Sequence, residues 1–299
     1  MAKEYPGTLL EFEHWFRTEE SCRDYLIQLR WPEGFRCPKC ASEKAWPGQR
    51  LLLMRCAGCG RNISVTAGTV FHHSHIPLRV WFRAVWWLTN QKNGVSALGL
   101  QRLMGLGSYK TAWGCLHRLR RAMVRPGREL LSGDVEVDET FLGGVRKGGK
   151  AKQNKMIVMI AAEARGEGVG RIRLGQVPTL EADDLGAFVK ASVMPGSKVV
   201  TDGWPSYRPL ARAGYRHAPM VLTGHGREAS SVMLPRVHRV ASLLRRWIMG
   251  TYQGRMTPPR LDSYLEEFAF RFNRRKSSKR GMLFYRLIQQ CVAMEPGSY

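Results

Sequence analysis

The stretch VEVDETFLGG at residues 135–144 and its counterpart VVTDGWPSY at residues 199–207 decide how this chain folds. Each alternates apolar and polar residues like a strand and stops at one aspartate, Asp138 in the first and Asp202 in the second. A carboxylate at the end of a buried strand is costly unless it holds a cation or a hydrogen-bond donor. If the two strands are neighbours in one sheet, both acids lie at its rim, where they can bind divalent metal. An ordinary aspartate that caps a strand-end turn is the alternative at each position.

After RPGRE at residues 125–129, the helical spacing of apolar residues changes to the alternation of strands. Three β-rich segments, VEVDETFL, MIVMIAAEA and RIRLGQV, predict three adjacent strands. An amphipathic helix, EADDLGAFVKASV, and a fourth strand, SKVVTDG, follow, and three further helical segments come after them. Strands in series, then a strand–helix alternation, then helices predict an α/β or α+β domain of roughly 150 residues.

The charge of the chain indicates a polyanionic partner. Its 299 residues include 47 Lys and Arg against 24 Asp and Glu, a formal net charge of +23 at pH 7. Such an excess repels itself in a compact fold unless a polyanion neutralises it, and nucleic acid is favoured over an anionic membrane surface. The sequence shows neither an apolar run of about 18 residues nor the apolar region of a signal peptide, so we expect a cytoplasmic protein without a membrane partner.

Four of the seven cysteines form two Cys-x-x-Cys pairs that are separated by fifteen residues. Two such pairs supply the four thiolates that tetrahedral Zn²⁺ prefers, and an odd total of cysteines argues against a disulfide framework. A redox dithiol is the alternative, but one pair would suffice for it and no thioredoxin-like strand pattern surrounds either pair. We therefore expect a structural zinc ribbon at residues 31–68 with the ligands Cys37, Cys40, Cys56 and Cys59.

Residues 94–124 have the spacing of a helix-turn-helix. An apolar first helix is followed by the tetrad GLGS and by a second helix for which Ser108 is the expected N-cap. Many helical hairpins share this pattern without touching DNA, but the zinc ribbon and the charge of the chain favour a DNA-binding domain. We predict this domain at residues 76–126, with DNA contacts from Tyr109, Lys110, Thr111, Arg118 and Arg121.

The order of these features resembles one known family. A zinc ribbon, a helix-turn-helix, VEVDETFLGG, VVTDGWPSY, HRVASLLRRWIMGTYQG and YLEEFAFRFNRR follow one another as in bacterial insertion-sequence transposases of the ISXO-type DDE family, and the resemblance covers nearly the whole chain. It implies a mixed-sheet, RNase H-like α/β catalytic domain, which we place at residues 131–292, and it leaves an N-terminal helical segment at residues 1–30. It also implies a nucleoid-associated bacterial protein that cleaves and transfers the strands of double-stranded DNA at terminal inverted repeats, with Mg²⁺ or Mn²⁺.

The resemblance implies Asp138 and Asp202 as the first two metal ligands, whereas the third departs from the Asp-Asp-Glu pattern. Relatives place a glutamate seven residues before a basic residue of the following helix, and seven residues before Arg245 this chain has His238. An imidazole can hold Mn²⁺ or Mg²⁺, although hard Mg²⁺ prefers oxygen. We therefore predict His238 as the third ligand. The acidic alternatives are Glu228, Glu266 and Glu267, the last two of which also suit helix-face salt bridges with Arg271 and Arg274.

Further basic and aromatic residues are candidates for DNA contact near the acids. Arginines of the helix that carries His238 are expected to face phosphates, and the basic run RFNRRKSSKR at residues 271–280 has the duplex as its simplest neutralising partner. Trp204 and Tyr207 are placed to stack on an unpaired base or to pack against the sheet. A homodimer or higher oligomer is expected because two DNA ends must be paired. The predicted contacts are Trp204, Arg239, Arg245, Arg246, Arg274 and Arg275.

Two other functions fit the same features. A regulator could bind DNA through the ribbon and the helix-turn-helix while the α/β domain only dimerises. A zinc-ribbon nuclease that processes RNA is the weaker alternative. Replacing Asp138 or Asp202 by alanine separates the regulator from the enzyme, because only the enzyme loses metal-dependent strand cleavage.

Overall fold

The structure is a computed structural model that describes residues 4–124, 127–143, 155–220, 233–254 and 256–294. Its internal contacts divide the chain into two compact units, one formed by Met1–Arg125 with Ser277–Tyr299 and the other by Pro126–Lys276. Across these described ranges, no helix has both the length and the apolar character needed to span a membrane.

The first unit is built around an aromatic core that four helices share. Phe12, Phe16, Phe82 and Phe284 are all buried, and their neighbouring rings have centroids 4.9–5.9 Å apart. Each ring buries a large apolar area, so these contacts stabilise the packing of the helices. The rings belong to α1 (Leu9–Trp15) with its C-cap, α3 (Leu78–Asn90) and α9 (Arg280–Ala293), and α2 (Glu19–Arg30) adds Tyr25, whose ring centroid lies 5.0 Å from that of Phe16.

Helix α9 packs within this first unit, whereas we predicted that the catalytic domain continues to residue 292. Its Phe284 lies among the rings of α1 and α3. Gly281 permits the close approach, because a Cβ at this position would lie 1.7 Å from the carbonyl oxygen of Pro6. The second unit therefore ends at Lys276. The apolar spacing of MLFYRLIQQCVAM predicts a helix but does not reveal which core the helix joins.

The predicted helix, turn and helix are present in the same unit as α4 (Ala97–Met104) and α5 (Tyr109–Ala122). The side chain of Ser108 accepts a hydrogen bond from the N–H of Thr111 at 3.1 Å and so caps the second helix. Gly105 ends the first helix with a φ of 62°, a left-handed conformation that glycine adopts without strain. The tetrad GLGS thus makes the turn that places Tyr109 at the start of the second helix.

A small antiparallel sheet carries the cysteine pairs. Its strands are β1 (Ala45–Pro47), β2 (Leu53–Cys56) and β3 (Asn62–Ser64), in that order. Behind them, Ile63 packs with two of the cysteines and with Trp31 and Phe35. So small a sheet has little apolar core of its own, which is why such modules depend on metal for stability.

The second unit contains a mixed sheet of five strands, β4 (Asp134–Leu142), β5 (Met156–Arg165), β6 (Gly168–Val177), β7 (Lys198–Thr201) and β8 (Arg216–Pro219). Their order is β6-β5-β4-β7-β8. The first three strands are antiparallel neighbours, and β7 and β8 run parallel to β4. Helix α6 (Ala182–Ser192) connects β6 to β7. This is the RNase H-like α/β arrangement that we expected. Strand β8, RHAP, was missed because it is short and has no apolar alternation.

Alternation along β4 sends its side chains to two different cores. Val135 and Val137 are buried with α6 and with the 3-10 helix Pro205–Ala211 on one face. Glu136 and Asp138 point to the opposite face, where their carboxylates meet the start of a long helix. On that face β5 and β6 form a second core with the helices α7 (Pro235–Tyr252) and α8 (Pro258–Asn273).

Candidate active site and metal centre

The four predicted zinc ligands converge in the ribbon. Their Sγ atoms all lie within 4.8 Å of one another, with Cys37 3.9 Å from Cys59 and Cys40 3.5 Å from Cys56. A tetrahedral Zn²⁺ with Zn–S bonds of about 2.3 Å sets its sulfur atoms about 3.8 Å apart, so the four thiols fit this ion. The backbone N–H of Cys59 lowers the pKa of the Cys56 thiol to about 6, which favours the thiolate that zinc binds.

The parallel pairing of β4 with β7 brings the two predicted acids near each other. The register ends with Glu136 paired to Val200, β7 ends one residue later at Thr201, and the negative charge of Asp202 reaches Asp138. Asp202 directly follows β7, and its Oδ1 accepts a hydrogen bond from the N–H of Trp204 at 3.0 Å. The expectation that the strands are neighbours is therefore met, whereas the expectation that both strands end at their aspartates is wrong for Asp138, because β4 continues to Leu142.

Burial and like charge act together on Asp138. Desolvation first, and then the negative charges of Glu139 and Asp202, raise the pKa of Asp138 to about 7. Carboxylates this close repel one another when all are ionised, and a nearby cation removes that repulsion. Groups perturbed in this way cluster at functional sites. The middle of β4, beside the end of β7, is thus an acidic centre in a chain of basic net charge.

Glu139 is a third acid of this centre, and our reading of the sequence did not single it out. Burial and the charge of Asp202 raise the pKa of Glu139. The hydroxyl of Tyr207 donates a hydrogen bond to its Oε2 at 3.2 Å. Tyr207 is fully buried, so of the two roles we considered for it the structure favours packing. Its position directly after Asp138 was the available signal in the sequence, but its partner Tyr207 lies 68 residues further along the chain, after Asp202.

His238 lies in the first turn of α7 and reaches the same acids. Its Nε2 atom is 3.9 Å from Oδ2 of Asp138. The side chain of His238 is 36% exposed and that of Asp138 is 16% exposed, so the pair remains accessible to a ligand. Among the acidic and histidine side chains of the described residues, no three converge as closely as the four cysteines do. The structure thus brings His238 close to Asp138, while Asp202 interacts with Asp138 through its charge.

The glutamates that we considered as alternatives to His238 have other partners. Glu267 is fully buried and bonds to Arg271 at 2.9 Å, which is the salt bridge predicted for it. Glu266 makes a two-pronged ion pair with Arg128 at 2.6 and 2.9 Å, not the pair with Arg274. Both glutamates of α8 are therefore engaged in ion pairs with arginines. Glu228 lies outside the described residues.

Several of the predicted DNA-contacting residues are exposed. Tyr109 at the start of α5 is 54% exposed, and Trp204 beside Asp202 is 52% exposed. A large aromatic side chain so open to solvent is available for contact with a ligand. The other exposed candidates are Lys110, Thr111, Arg121, Arg239 and Arg246.

The remaining arginines are engaged within their own units. The guanidinium of Arg118 donates to the carbonyl oxygens of Val70 and His72 at 3.3 and 2.9 Å, so its contacts are structural. Donors committed to buried carbonyls are less available to phosphates. The other three arginines combine an exposed or partly exposed position with an internal partner: Arg245 with Thr140, Arg274 with the ring of Phe270, and Arg275 with Val169 and the ring of Phe272.

Comparison with known proteins gives two family matches and one curated relative. The ISXO2-like transposase domain matches residues 130–273, and the transposase zinc-ribbon domain matches residues 17–62. An uncharacterized protein in transposable element ISH50 of Halobacterium salinarum is 28% identical over 282 aligned positions, which cover 86% of this chain and 91% of the relative. The first match contains Asp138, Asp202 and His238, and the second contains the four cysteines of the ribbon.

Two solved structures show a distant likeness. One is the simian T-cell lymphotropic virus intasome in complex with PP2A regulatory subunit B56 gamma, with a TM-score of 0.33, 13% identity, and coverage of 58% of this chain and 64% of that chain. The other is the Mos1 strand transfer complex, with a TM-score of 0.29, 14% identity, and coverage of 73% and 78%. Scores this low say nothing about function. The two family matches, over residues 130–273 and residues 17–62, show that the chain belongs to the ISXO2-like DDE transposases, enzymes of DNA phosphoryl transfer.

Proposed function

We propose that this transposase binds the inverted-repeat ends of its own insertion sequence and cleaves and transfers their strands with divalent metal held by Asp138, Asp202 and His238. The observation that supports this proposal is the parallel pairing of β4 with β7, together with the effect of the charge of Asp202 on Asp138. His238, 3.9 Å from Asp138, supplies a third donor from a different element.

The donor set suits Mg²⁺ or Mn²⁺. Two carboxylates and one imidazole offer oxygen and nitrogen ligands, which hard and borderline divalent ions accept. Burial first, and then the charges of Glu139 and Asp202, raise the pKa of Asp138, and a cation between the acids would relieve the repulsion among them. A bound divalent ion would make a water or a 3′-hydroxyl a stronger nucleophile and would stabilise charge on the leaving oxygen. The hydrogen bond from Tyr207 holds the neighbouring Glu139 in place beside this set.

DNA binding is proposed for both units. In the first unit, the exposed start of α5 presents Tyr109, Lys110 and Thr111 as a recognition helix would, and Arg121 adds a phosphate contact. In the second unit, Arg239 and Arg246 project from the helix that carries His238, and Trp204 stands beside Asp202. A net charge of +23 supplies the non-specific attraction that brings such a protein to a duplex.

Two further features follow from the same proposal. Transfer of an element requires its two ends to be held together, so we expect the chain to act as a homodimer or a higher oligomer on DNA. A protein that binds duplex DNA in this way is expected to be associated with the nucleoid of its host.

The experiment is a cleavage assay on a duplex that carries one end of the element, with Mg²⁺ or Mn²⁺ present. Asp138→Ala and Asp202→Ala should abolish strand cleavage and keep end binding. Asp134→Ala is the matched control, because this aspartate lies on the same strand as Asp138, is exposed, and within the described part of the chain forms a long surface ion pair with Lys198 at 3.7 Å. Strand cleavage that survives in either of the first two variants would leave the chain as a DNA-binding regulator.

A further inference from the structure

We infer that Glu136 is a positioning residue that sets His238 against Asp138 by holding the start of α7. The inference rests on the proposed function, since it assumes that His238 binds metal. Glu136 is only 5% exposed and lies two residues before Asp138 on the same face of β4. A carboxylate buried to this degree is stable in a fold only when strong donors compensate its lost hydration.

The first of those donors are backbone groups of α7, a helix that has no side-chain cap of its own. Leu234 occupies the N-cap position without a side-chain acceptor, and Pro235 follows it. The N–H groups of Arg236 and Val237 donate instead to Oε2 of Glu136, at 2.7 and 3.0 Å. These are the donors that an N-cap side chain ordinarily satisfies, and a negative charge here also interacts favourably with the helix dipole. Glu136 therefore caps α7 from another strand.

The side chain of Arg236 adds a second connection. Its Nη1 donates to Oε1 of Glu136 at 2.6 Å, its Nη2 to the carbonyl oxygen of Gly166 at 2.8 Å, and its Nε to that of Gly168 at 3.2 Å. The pair of Glu136 and Arg236 thus ties the start of α7 to β4 and to the turn between β5 and β6. A helix held by this many directed bonds has little freedom to slide along the strand.

The spacing of these residues transfers the constraint to the candidate metal site. Glu136 and Asp138 are two positions apart on β4, and Arg236 and His238 are two positions apart on α7. Glu136 and Arg236 form the ion pair. Two positions further along each element, Nε2 of His238 lies 3.9 Å from Oδ2 of Asp138. Because the N–H of Val237 is fixed by Glu136, the next residue along the helix is fixed with it. Glu136 thus holds a ligand without touching the metal.

The test measures Mn²⁺ affinity of the full, zinc-loaded chain by electron paramagnetic resonance of free Mn²⁺. Glu136→Ala should weaken Mn²⁺ binding about 10–100-fold, the range for residues that orient a metal ligand. Glu136→Gln should weaken it less, because its amide oxygen still accepts from the two backbone N–H groups of α7. The double variant Glu136→Ala/His238→Ala should bind no more weakly than His238→Ala, since both changes remove one interaction.

The matched control is Glu163→Ala. Glu163 lies in the same sheet and is likewise held by an arginine, Arg171 at 2.6 Å, so this variant loses a comparable ion pair and should keep the wild-type Mn²⁺ affinity. The inference is overturned if the losses of Mn²⁺ affinity in Glu136→Ala and His238→Ala add fully in the double variant. It is also overturned if Glu136→Ala keeps the wild-type affinity. If Glu136→Ala does not fold by circular dichroism, Glu136→Gln decides, and wild-type affinity in that variant overturns the inference.

The outcomes also separate this inference from the function on which it rests. If His238→Ala binds Mn²⁺ as the wild type does, the proposed ligand set fails and the role of Glu136 fails with it. If His238→Ala and Asp138→Ala both lose affinity while both Glu136 variants keep it, the ligand set stands and only the positioning role is overturned.

Discussion

Nε2 of His238 lies 3.9 Å from Oδ2 of Asp138, so the first turn of α7 reaches the middle of β4. The third position of the proposed metal site is therefore an imidazole, where the family pattern has a carboxylate. A nitrogen ligand binds Mn²⁺ more readily than Mg²⁺, which prefers oxygen. The choice of metal should thus depend on this one side chain.

Replacing His238 tests that dependence. His238→Ala should slow strand cleavage by about 10²–10³-fold, the effect of losing one group that stabilises developing charge. His238→Glu should restore cleavage and should shift the metal preference toward Mg²⁺, because it adds an oxygen ligand. The measurement is the cleavage rate of an end-bearing duplex in each metal, with end binding as the control. Equal cleavage rates for His238→Ala and the wild type would show that the third metal ligand is a residue other than His238.

Removing zinc should affect the first unit and leave the acidic centre intact. The ribbon has a small core, so Cys37→Ser with Cys56→Ser should release the bound zinc, lower the thermal stability of the first unit and weaken end binding. Mn²⁺ affinity should not change. Zinc content by mass spectrometry checks the first point, with Lys39→Ala, an exposed residue between two ligands, as control. A double variant that keeps its zinc contradicts the assignment of these cysteines.

Replacing each of two arginines of α5 should affect a different property of the protein. Arg121 is exposed, so Arg121→Ala should weaken DNA binding, reduce its salt dependence by about one ion and leave stability unchanged. Arg118 donates to the carbonyls of Val70 and His72, so Arg118→Ala should cost about 1–3 kcal/mol of stability. Titration of a labelled duplex and urea unfolding measure the two effects. If Arg118→Ala lost only DNA affinity, its contacts would not be structural.

Stability should fall in acid because of His217. Its Nε2 lies 2.9 Å from Oγ1 of Thr201, and burial lowers the pKa of His217 below its ordinary value of 6.5. The neutral ring is favoured in the fold, so its stabilisation is complete above that value. This stabilisation is lost as the pH falls below 6.5, because the histidine of the unfolded chain takes up a proton at a higher pH than that of the folded chain.

Urea unfolding at about pH 7.5 and about pH 5.5 checks this, since histidine titrates between them. The wild type should lose more free energy of unfolding between the two conditions than His217→Gln, which cannot titrate. An equal loss in both proteins would show that other groups set the acid response.

Local spacing predicted the features whose partners are near in sequence. The Cys-x-x-Cys pairs, the GLGS turn with its Ser108 cap, and the strand that ends at Asp202 each follow from short-range chemistry. The order of strands and helices predicted an α/β or α+β domain, and the mixed sheet was implied by the family resemblance. The roles of Asp138, Asp202 and His238 remain predictions, although the fold places the first and third of them in proximity.

Features with distant partners were not predictable in this way. Glu136 was seen only as a polar residue of an alternating strand, because its donors lie about a hundred residues further on, at a helix start whose docking only the tertiary fold sets. Glu139 could not be recognised from the sequence because its hydrogen-bond partner, Tyr207, lies 68 residues further along the chain. Arg118 looked like any basic residue of a recognition helix, since the carbonyls that bind it come from a loop with no pattern of its own.

The central claim is that Asp138 and Asp202 hold the catalytic metal, and a metal exchange tests it most directly. Thiolate is a poor ligand for hard Mg²⁺ and a better one for softer metals such as Mn²⁺. Strand cleavage by Asp138→Cys and Asp202→Cys should therefore be lost in Mg²⁺ and regained at least in part in Mn²⁺. Undiminished cleavage by these variants in Mg²⁺ would contradict the assignment of the two aspartates as metal ligands.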